Sequence, residues 1–522
     1  MSRNILIFSD GTGQAGVVSD EGSWSNIYKL YRATRVSPDT CIDPAEQVAF
    51  YDAGLGSAPI TGGFFTGLRR RIHDFISQAT GYGITTNIID CYDMIIRLWR
   101  PGDRIYLFGF SRGAYTVRCV CGVLRLCGVP TKIGDGPLSY APGVTHSIAK
   151  KAVKQVYEFT ASWEREKATD RQKQLLDQRD ELATQFRTYY GSSDRFGDSN
   201  GYPYFVGVFD TVAALANWGT FFLFVAILVV AIGILSSAIW YVHPSYGLFY
   251  SYWIRLLVVM GGLALVTTIA VVITSYKSAP TVTDKGRTAH FEWGRFRFYD
   301  RALPDKVNYG KHAISIDENR ASFERVPWGD PKSTRPERDE LGNETFEQIW
   351  FAGNHSDIGG SYSDNESRLS DTALNWMLGA ATALPQPIKV DVSILNLHPD
   401  PSGIQHDECK VGIKYVTRLS GKTWPLLHRP VPAGDPTIHE SVRERFEVGP
   451  VLNYDLHGLY RPETFRVVSA YSHYYQLLPF SNCQCATCRH IRGLPPQPTL
   501  KSRLAALVAA LKAALGWLSR TP

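Results

Sequence analysis

The stretch Ile105-Tyr106-Leu107-Phe108-Gly109-Phe110-Ser111-Arg112-Gly113-Ala114-Tyr115 constrains this chain more than any other. Its first half is an apolar run of strand length. Its second half opens a helix with Val117, Val120, Val123 and Leu124 on one side. Between them, Gly109 to Gly113 fits the G-x-S-x-G pattern of a sharp strand-to-helix turn with a serine at its apex. Such a reversal leaves no room for Cβ atoms two residues either side and lifts the hydroxyl clear of the backbone. Residues 85–99 have helical periodicity and Pro101-Gly102-Asp103 reads as a turn. The order helix, turn, strand, serine, helix is that of an α/β protein with a mostly parallel sheet and helices on both faces.

The rest of the soluble pattern agrees. Ile5 to Phe8 reads as a strand followed by the loop Ser9-Asp10-Gly11-Thr12-Gly13, whose backbone N–H groups suit an anion. Val48 to Tyr51 is a second strand, followed by a Gly-rich loop over residues 54–67. Residues 147–190 are helical and dense in charge, as in a cap or inserted hairpin. Tyr204 to Phe209 is a buried-strand run ending on Asp210, and Gln348 to Phe351 is another that runs into Asn354-His355-Ser356-Asp357. Residues 1–212 and 285–480 therefore read as one catalytic body. With 522 residues there is ample length for a large core, and a net charge of +6 with dispersed Lys and Arg excludes a nucleic-acid surface. Nine scattered cysteines do not form a secreted disulfide framework, and the first residues show no signal peptide.

Two segments interrupt this pattern. Residues 221–241 and 256–276 are apolar throughout, each about the 20 residues that a bilayer core requires. Aromatic residues lie at their ends, and Arg255, Lys277, Lys285 and Arg287 flank the second run. Residues 219–276 are thus expected to form a two-helix transmembrane hairpin, with the catalytic body on the cytoplasmic side of a bacterial inner membrane.

A serine nucleophile needs a base, and the base an orienting acid. Ser111, Asp210 and His355 follow strand runs in the chain order Ser, Asp, His. His439 and His312 are competing bases, and Asp357 a competing acid. The backbone N–H groups of Arg112, Gly11 and Thr12 are the candidate oxyanion donors, although the carboxylate of Asp10 nearby must then point away or hold a cation. No cofactor is expected.

These residues add up to a resemblance. Phe8-Ser9-Asp10-Gly11-Thr12, Gly109 to Ala114, Gly207 to Val212, His312 to Arg320 with Phe323, and Trp350 to Gly360 resemble, in order, the motifs of the DUF2235 family, which includes the type VI secretion phospholipase effectors of the Tle1 type. The resemblance covers about residues 3–380. It implies an α/β-hydrolase fold, hydrolysis of phospholipid esters, and a triad of Ser111, Asp210 and His355. The expected partner is therefore a phospholipid or other lipid ester, met at a membrane face through an acyl-enzyme. The alternatives are an inactive binding or scaffold protein on the same fold and an esterase for soluble esters.

Residues 481–522 stand apart. Cys483, Cys485, Cys488 and His490 place four soft ligands within eight residues. Structural zinc usually joins two separated ligand pairs, so no metal is expected and the cysteines read as reduced thiols. Residues 500–518 carry leucines on one arc of a helix, which suits either a membrane interface or packing on the domain.

Overall fold

The computed structural model describes residues 2–11, 23–54, 82–161, 163, 165–212, 276–280, 287–291, 302–321, 323–329, 337–411, 426–432, 436–453 and 456–496. Six strands form one sheet: β1 (Asn4–Ser9), β2 (Gln47–Asp52), β3 (Arg104–Phe110), β4 (Pro203–Phe209), β5 (Tyr309–Ser315) and β6 (Phe346–Phe351). Their order across the sheet is β6-β5-β4-β3-β1-β2, and every pairing is parallel. From β1 the chain steps outward to β2, then returns to the other side of β1 for β3. The carboxyl ends of β1 and β3 therefore flank the point where the strand order reverses, which is where parallel sheets bind ligands.

Successive strand residues face opposite ways, and the two faces are covered by different helices. Ile5, Ile7, Ile105, Leu107, Val206 and Val208 share one core with α2 (Tyr82–Leu98) and α3 (Arg112–Cys127). Val153, Val156 and Tyr157 belong to that core, as do Leu182 and Phe186 of the long helix Asp170–Tyr190, so the charged 147–190 stretch packs its apolar minority onto this layer. On the other face, Leu6, Phe8, Tyr106, Phe108, Phe110, Phe205 and Phe209 meet Ile27 and Leu30 of α1 (Asn26–Thr34) and Leu374 and Met377 of the helix Arg368–Thr382. The sheet is thus buried on both sides, which is why its strands read as nearly continuous apolar runs.

Beyond β6, described residues from 431 onward pack against the end of the sheet. A third core joins Ile314, Ile316, Trp350 and Ala352 to Val431, Val442, Phe446, Tyr460, Phe465 and Tyr471. The Trp350 N–H donates to the Thr437 carbonyl and the His439 N–H to the Trp350 carbonyl, each at 3.0 Å, so this region closes the β6 edge.

The expectation of an inner-membrane protein with two spans is corrected. Among the described residues no helix is long and apolar enough to cross a membrane. Residues 221–241 and 256–275 lie outside the described residues, and the end of the second run, Tyr276, begins a strand, Tyr276–Pro280, paired antiparallel with Arg287–Phe291. The physical reason is that hydropathy measures the preference for leaving water and not the medium entered. The amphipathic 500–518 segment also lies outside the described residues.

Candidate functional site

Ser111 sits between β3 and α3 at φ 59° and ψ −120°, a conformation that L-residues rarely adopt. The reversal holds because the chain around it has almost no bulk. A Cβ on Gly113 would lie 2.0 Å from the Ser9 carbonyl oxygen, so only glycine lets α3 pass this close to the end of β1. The Ser111 N–H donates to the Phe209 carbonyl at 3.1 Å, tying the turn to β4. Arg112 opens α3, so its N–H is among those with no carbonyl to meet inside the helix. The loop after β1 lies against the turn: a Cβ on Gly11 would be 3.4 Å from the Ser111 Cβ.

Asp210 follows β4 at φ 35°, fully buried. One carboxylate oxygen lies 2.5 Å from His355 Nδ1. The other accepts from the Arg429 guanidinium at 2.6 Å and from the Ser315 N–H at 3.1 Å. Burial alone would raise the Asp210 pKa, but Arg429 and His355 outweigh it and hold the carboxyl below its usual range. Burial pushes the His355 pKa down, against the pull of Asp210, and contact with that carboxylate favours the tautomer with the proton on Nδ1. That leaves Nε2 as an acceptor, and it is buried with no hydrogen-bond partner among the described residues.

His355 begins the short helix His355–Gly359, capped by Asn354 with Asp357 closing a capping box. Its ring lies 4.7 Å from that of Phe110, the residue before Ser111. A Cβ on Gly359 would fall 1.9 Å from the Phe110 ring, so this glycine is what lets the histidine helix lie on the elbow strand. The Phe323 ring packs edge-on to His355 at 5.2 Å, and the His355 N–H donates to Glu318 at 3.2 Å.

The competitors are engaged elsewhere. His312 is buried, accepts from the Thr211 N–H at 3.3 Å and is pushed by burial to a pKa of about 3. His439 caps the helix Glu440–Glu447 and stacks on Phe351. Asp357 bonds to His406 at 2.7 Å and to the Asn354 N–H at 3.0 Å. The Gly11 N–H donates to the Asp10 carboxylate at 2.7 Å, so the structure turns this expected oxyanion donor inward, while Thr12 lies outside the described residues. Asp10 also accepts from the hydroxyls of Ser25 and Tyr51, and burial raises its pKa to about 6.

Sequence reasoning missed Arg429, which lies in a proline-rich stretch with no pattern of its own. It quoted Glu318 and Phe323 as motif residues without giving them a role, and the chain-order rule for a triad had no place for them. The four ligands grouped by the sequence also separate. His490 is exposed, whereas His428, far upstream, lies with Cys483 and Cys488 such that their ligand atoms are within 4.8 Å of one another.

Comparison with known proteins gives the chain its relatives. In Saccharomyces cerevisiae, the uncharacterized protein YEL023C is 27% identical over 215 residues, 40% of this chain. The match spans only 26% of that protein's length. An uncharacterized protein from Pseudomonas aeruginosa is a solved structure with 15% identity and a TM-score of 0.31, over 76% of this chain and 48% of that one. The Tle1 effector bound to the VgrG spike of the type VI secretion system has 16% identity and a TM-score of 0.26, over 70% and 52%. A family profile, that of the type VI secretion phospholipase effector Tle1-like catalytic domain, matches residues 3–241 and 264–380, and so takes in Ser111, Asp210 and His355 and runs through the first apolar stretch. The chain belongs to this Tle1-like phospholipase effector family.

Proposed function

We propose that the chain is a serine carboxylic-ester hydrolase of the phospholipase type, with Ser111 as nucleophile, His355 as general base and Asp210 as the orienting acid. The observation that carries this reading is the 2.5 Å contact of His355 Nδ1 with Asp210, which leaves a buried and unpartnered Nε2 on a ring packed against the elbow strand. Ser111 Oγ attacks the ester carbonyl while its proton passes to Nε2. The Arg112 N–H faces the developing oxyanion. Collapse of the tetrahedral adduct expels the alcohol, which takes the proton from His355 and leaves an acyl-serine. Water, deprotonated by the same nitrogen, then releases the fatty acid. Membership of a phospholipase family supports a lipid ester as substrate.

The test is hydrolysis of phospholipid vesicles and of short p-nitrophenyl esters, with products read by mass spectrometry. Ser111→Ala should lose roughly 10⁴-fold or more in kcat. Full activity in that variant would sink the mechanism. Cleavage of the short esters alone would leave a serine hydrolase with a soluble substrate. A fluorophosphonate probe that fails to label folded protein would favour a scaffold.

A further inference from the structure

The last described segment is held by remarkably little apolar burial for an ordered element. Between residues 480 and 496 the only buried side chain is Cys488, while Phe480 and Leu494 are 54% and 40% exposed. Its helix, Ala486–Ile491, is far too short to persist alone. Small elements that lack a core are fastened by disulfides or metals, and all the cysteines here are free.

The sulfurs converge on a histidine from another part of the chain. The ligand atoms of His428, Cys483 and Cys488 lie within 4.8 Å of one another. The Cys485 thiol is hydrogen-bonded to both Cys483 and Cys488. Two backbone groups aim at sulfur: the Cys485 N–H donates to Cys483 Sγ at 3.4 Å and the Cys488 N–H to Cys485 Sγ at 3.5 Å. Such donors orient thiolates and offset their charge when a metal binds. The Thr487 hydroxyl donates to the His428 carbonyl and so ties the two segments together, while Arg492 donates to the Cys483 carbonyl within the cysteine segment.

We propose that His428, Cys483, Cys485 and Cys488 bind one structural Zn²⁺. Three sulfurs and an imidazole nitrogen form a known zinc donor set, soft enough to disfavour magnesium or calcium. Zn–S and Zn–N bonds of about 2.3 and 2.0 Å in a tetrahedron put ligand atoms roughly 3.5–3.8 Å apart. The ligand atoms of His428, Cys483 and Cys488 reach that spacing by a contraction of about 1 Å, and Cys485, hydrogen-bonded to both other thiols, joins the shell by side-chain rotation. The sequence pattern concealed the site because its histidine is distant: C-x-C-x₂-C supplies three ligands and His428 the fourth.

The site has a consequence for the candidate active site, one that rests on the hydrolase reading above. His428 is followed by Arg429, which donates to Asp210 at 2.6 Å and to the Phe323 carbonyl at 2.7 Å. Zinc at His428 would therefore fasten the segment that clamps the acid, with Arg429 as a positioning residue.

The test uses the full chain, purified under reducing conditions, stripped with chelator and reloaded with Zn²⁺ or Co²⁺. Elemental analysis should find about one zinc per chain, and Co²⁺ should give the intense visible bands and thiolate charge-transfer absorption of a sulfur-rich tetrahedral site. Cys483→Ser, Cys488→Ser and His428→Ala should lose the metal, whereas His428→Cys and His490→Ala should keep it. Wild-type protein without bound metal at saturating zinc would overturn the proposal, as would a Cys483–Cys488 disulfide in its place. Octahedral Co²⁺ spectra would do the same without relying on any variant's folding. Stripping zinc should also lower Ser111-dependent kcat several-fold. If no Ser111-dependent hydrolysis exists, the hydrolase reading fails while metal stoichiometry still decides the site.

Discussion

Aspartates lie at the carboxyl ends of three strands in this sheet, and their surroundings push them in opposite directions. Asp10 after β1 and Asp52 at the end of β2 are met by neutral donors, namely Ser25, Tyr51 and Gly11 for the first and Ser9, Asn87 and Cys91 for the second. Burial wins, and their pKa values rise to about 6 and about 7. Asp210 after β4 is as deeply buried as Asp10, but it faces the Arg429 cation and the His355 ring, and it is held below the usual carboxylate range. The lesson is that depth alone does not set the charge of a strand-end carboxylate. A cation in contact does, and the carboxylate with that cation stays ionised to lower pH than the others, as stabilising an imidazolium requires.

The largest expected effect breaks this contrast at its centre. Asp210→Asn should cut kcat by roughly 10⁴-fold, because the amide favours the wrong imidazole tautomer, while Asp10→Asn should cost less than about 10-fold. Equal losses in steady-state assays of both variants would mean that the two carboxylates are not functionally distinct. Next comes Arg429→Met, which removes the cation. We expect a fall in kcat/KM of about 10- to 100-fold. The pH profile carries the sign. His355 must be neutral to act, and burial lowers its pKa from the ordinary value, so wild-type activity should persist as pH falls through about 6.5 and decline only below it. Without Arg429 the imidazolium is less opposed, so this acid limb should move to higher pH. An unmoved limb would deny Arg429 any electrostatic role.

The smallest effect lies in stability. Asp52 has a raised folded pKa, so the native state is penalised once the carboxyl ionises. That penalty is absent below the unfolded pKa of about 4 and complete above about 7. The Tm difference between Asp52→Asn and wild type should therefore shift in favour of the variant as pH rises across that window. A pH-independent difference in thermal melts would show that Asp52 remains ionised in the fold.

Much of this was legible in the chain. The strand Arg104–Phe110 and its turn were readable because a doubly buried strand is nearly continuously apolar, here from Ile105 onward, and a sharp reversal demands small flanking residues. Ser111, Asp210 and His355 were readable because strand ends in a parallel sheet converge at one edge. The membrane expectation failed for the opposite reason: an apolar run reports what it avoids and not what it meets. Glu318 and Phe323 stood in a quoted motif, yet their contacts with His355 depend on where the β5 loop folds back.

By itself the sequence determined the alternation of strands and helices, the strained serine turn and the order of the three candidate catalytic residues, because these follow from local sterics and short-range periodicity. Only the tertiary structure decided that Gly11 turns its N–H to Asp10, that Arg429 reaches Asp210, and that His428, rather than His490, joins the cysteines. Each of those contacts joins a backbone or side-chain group to a charge or ligand whose position is set by packing, and no local pattern encodes a distance through the core.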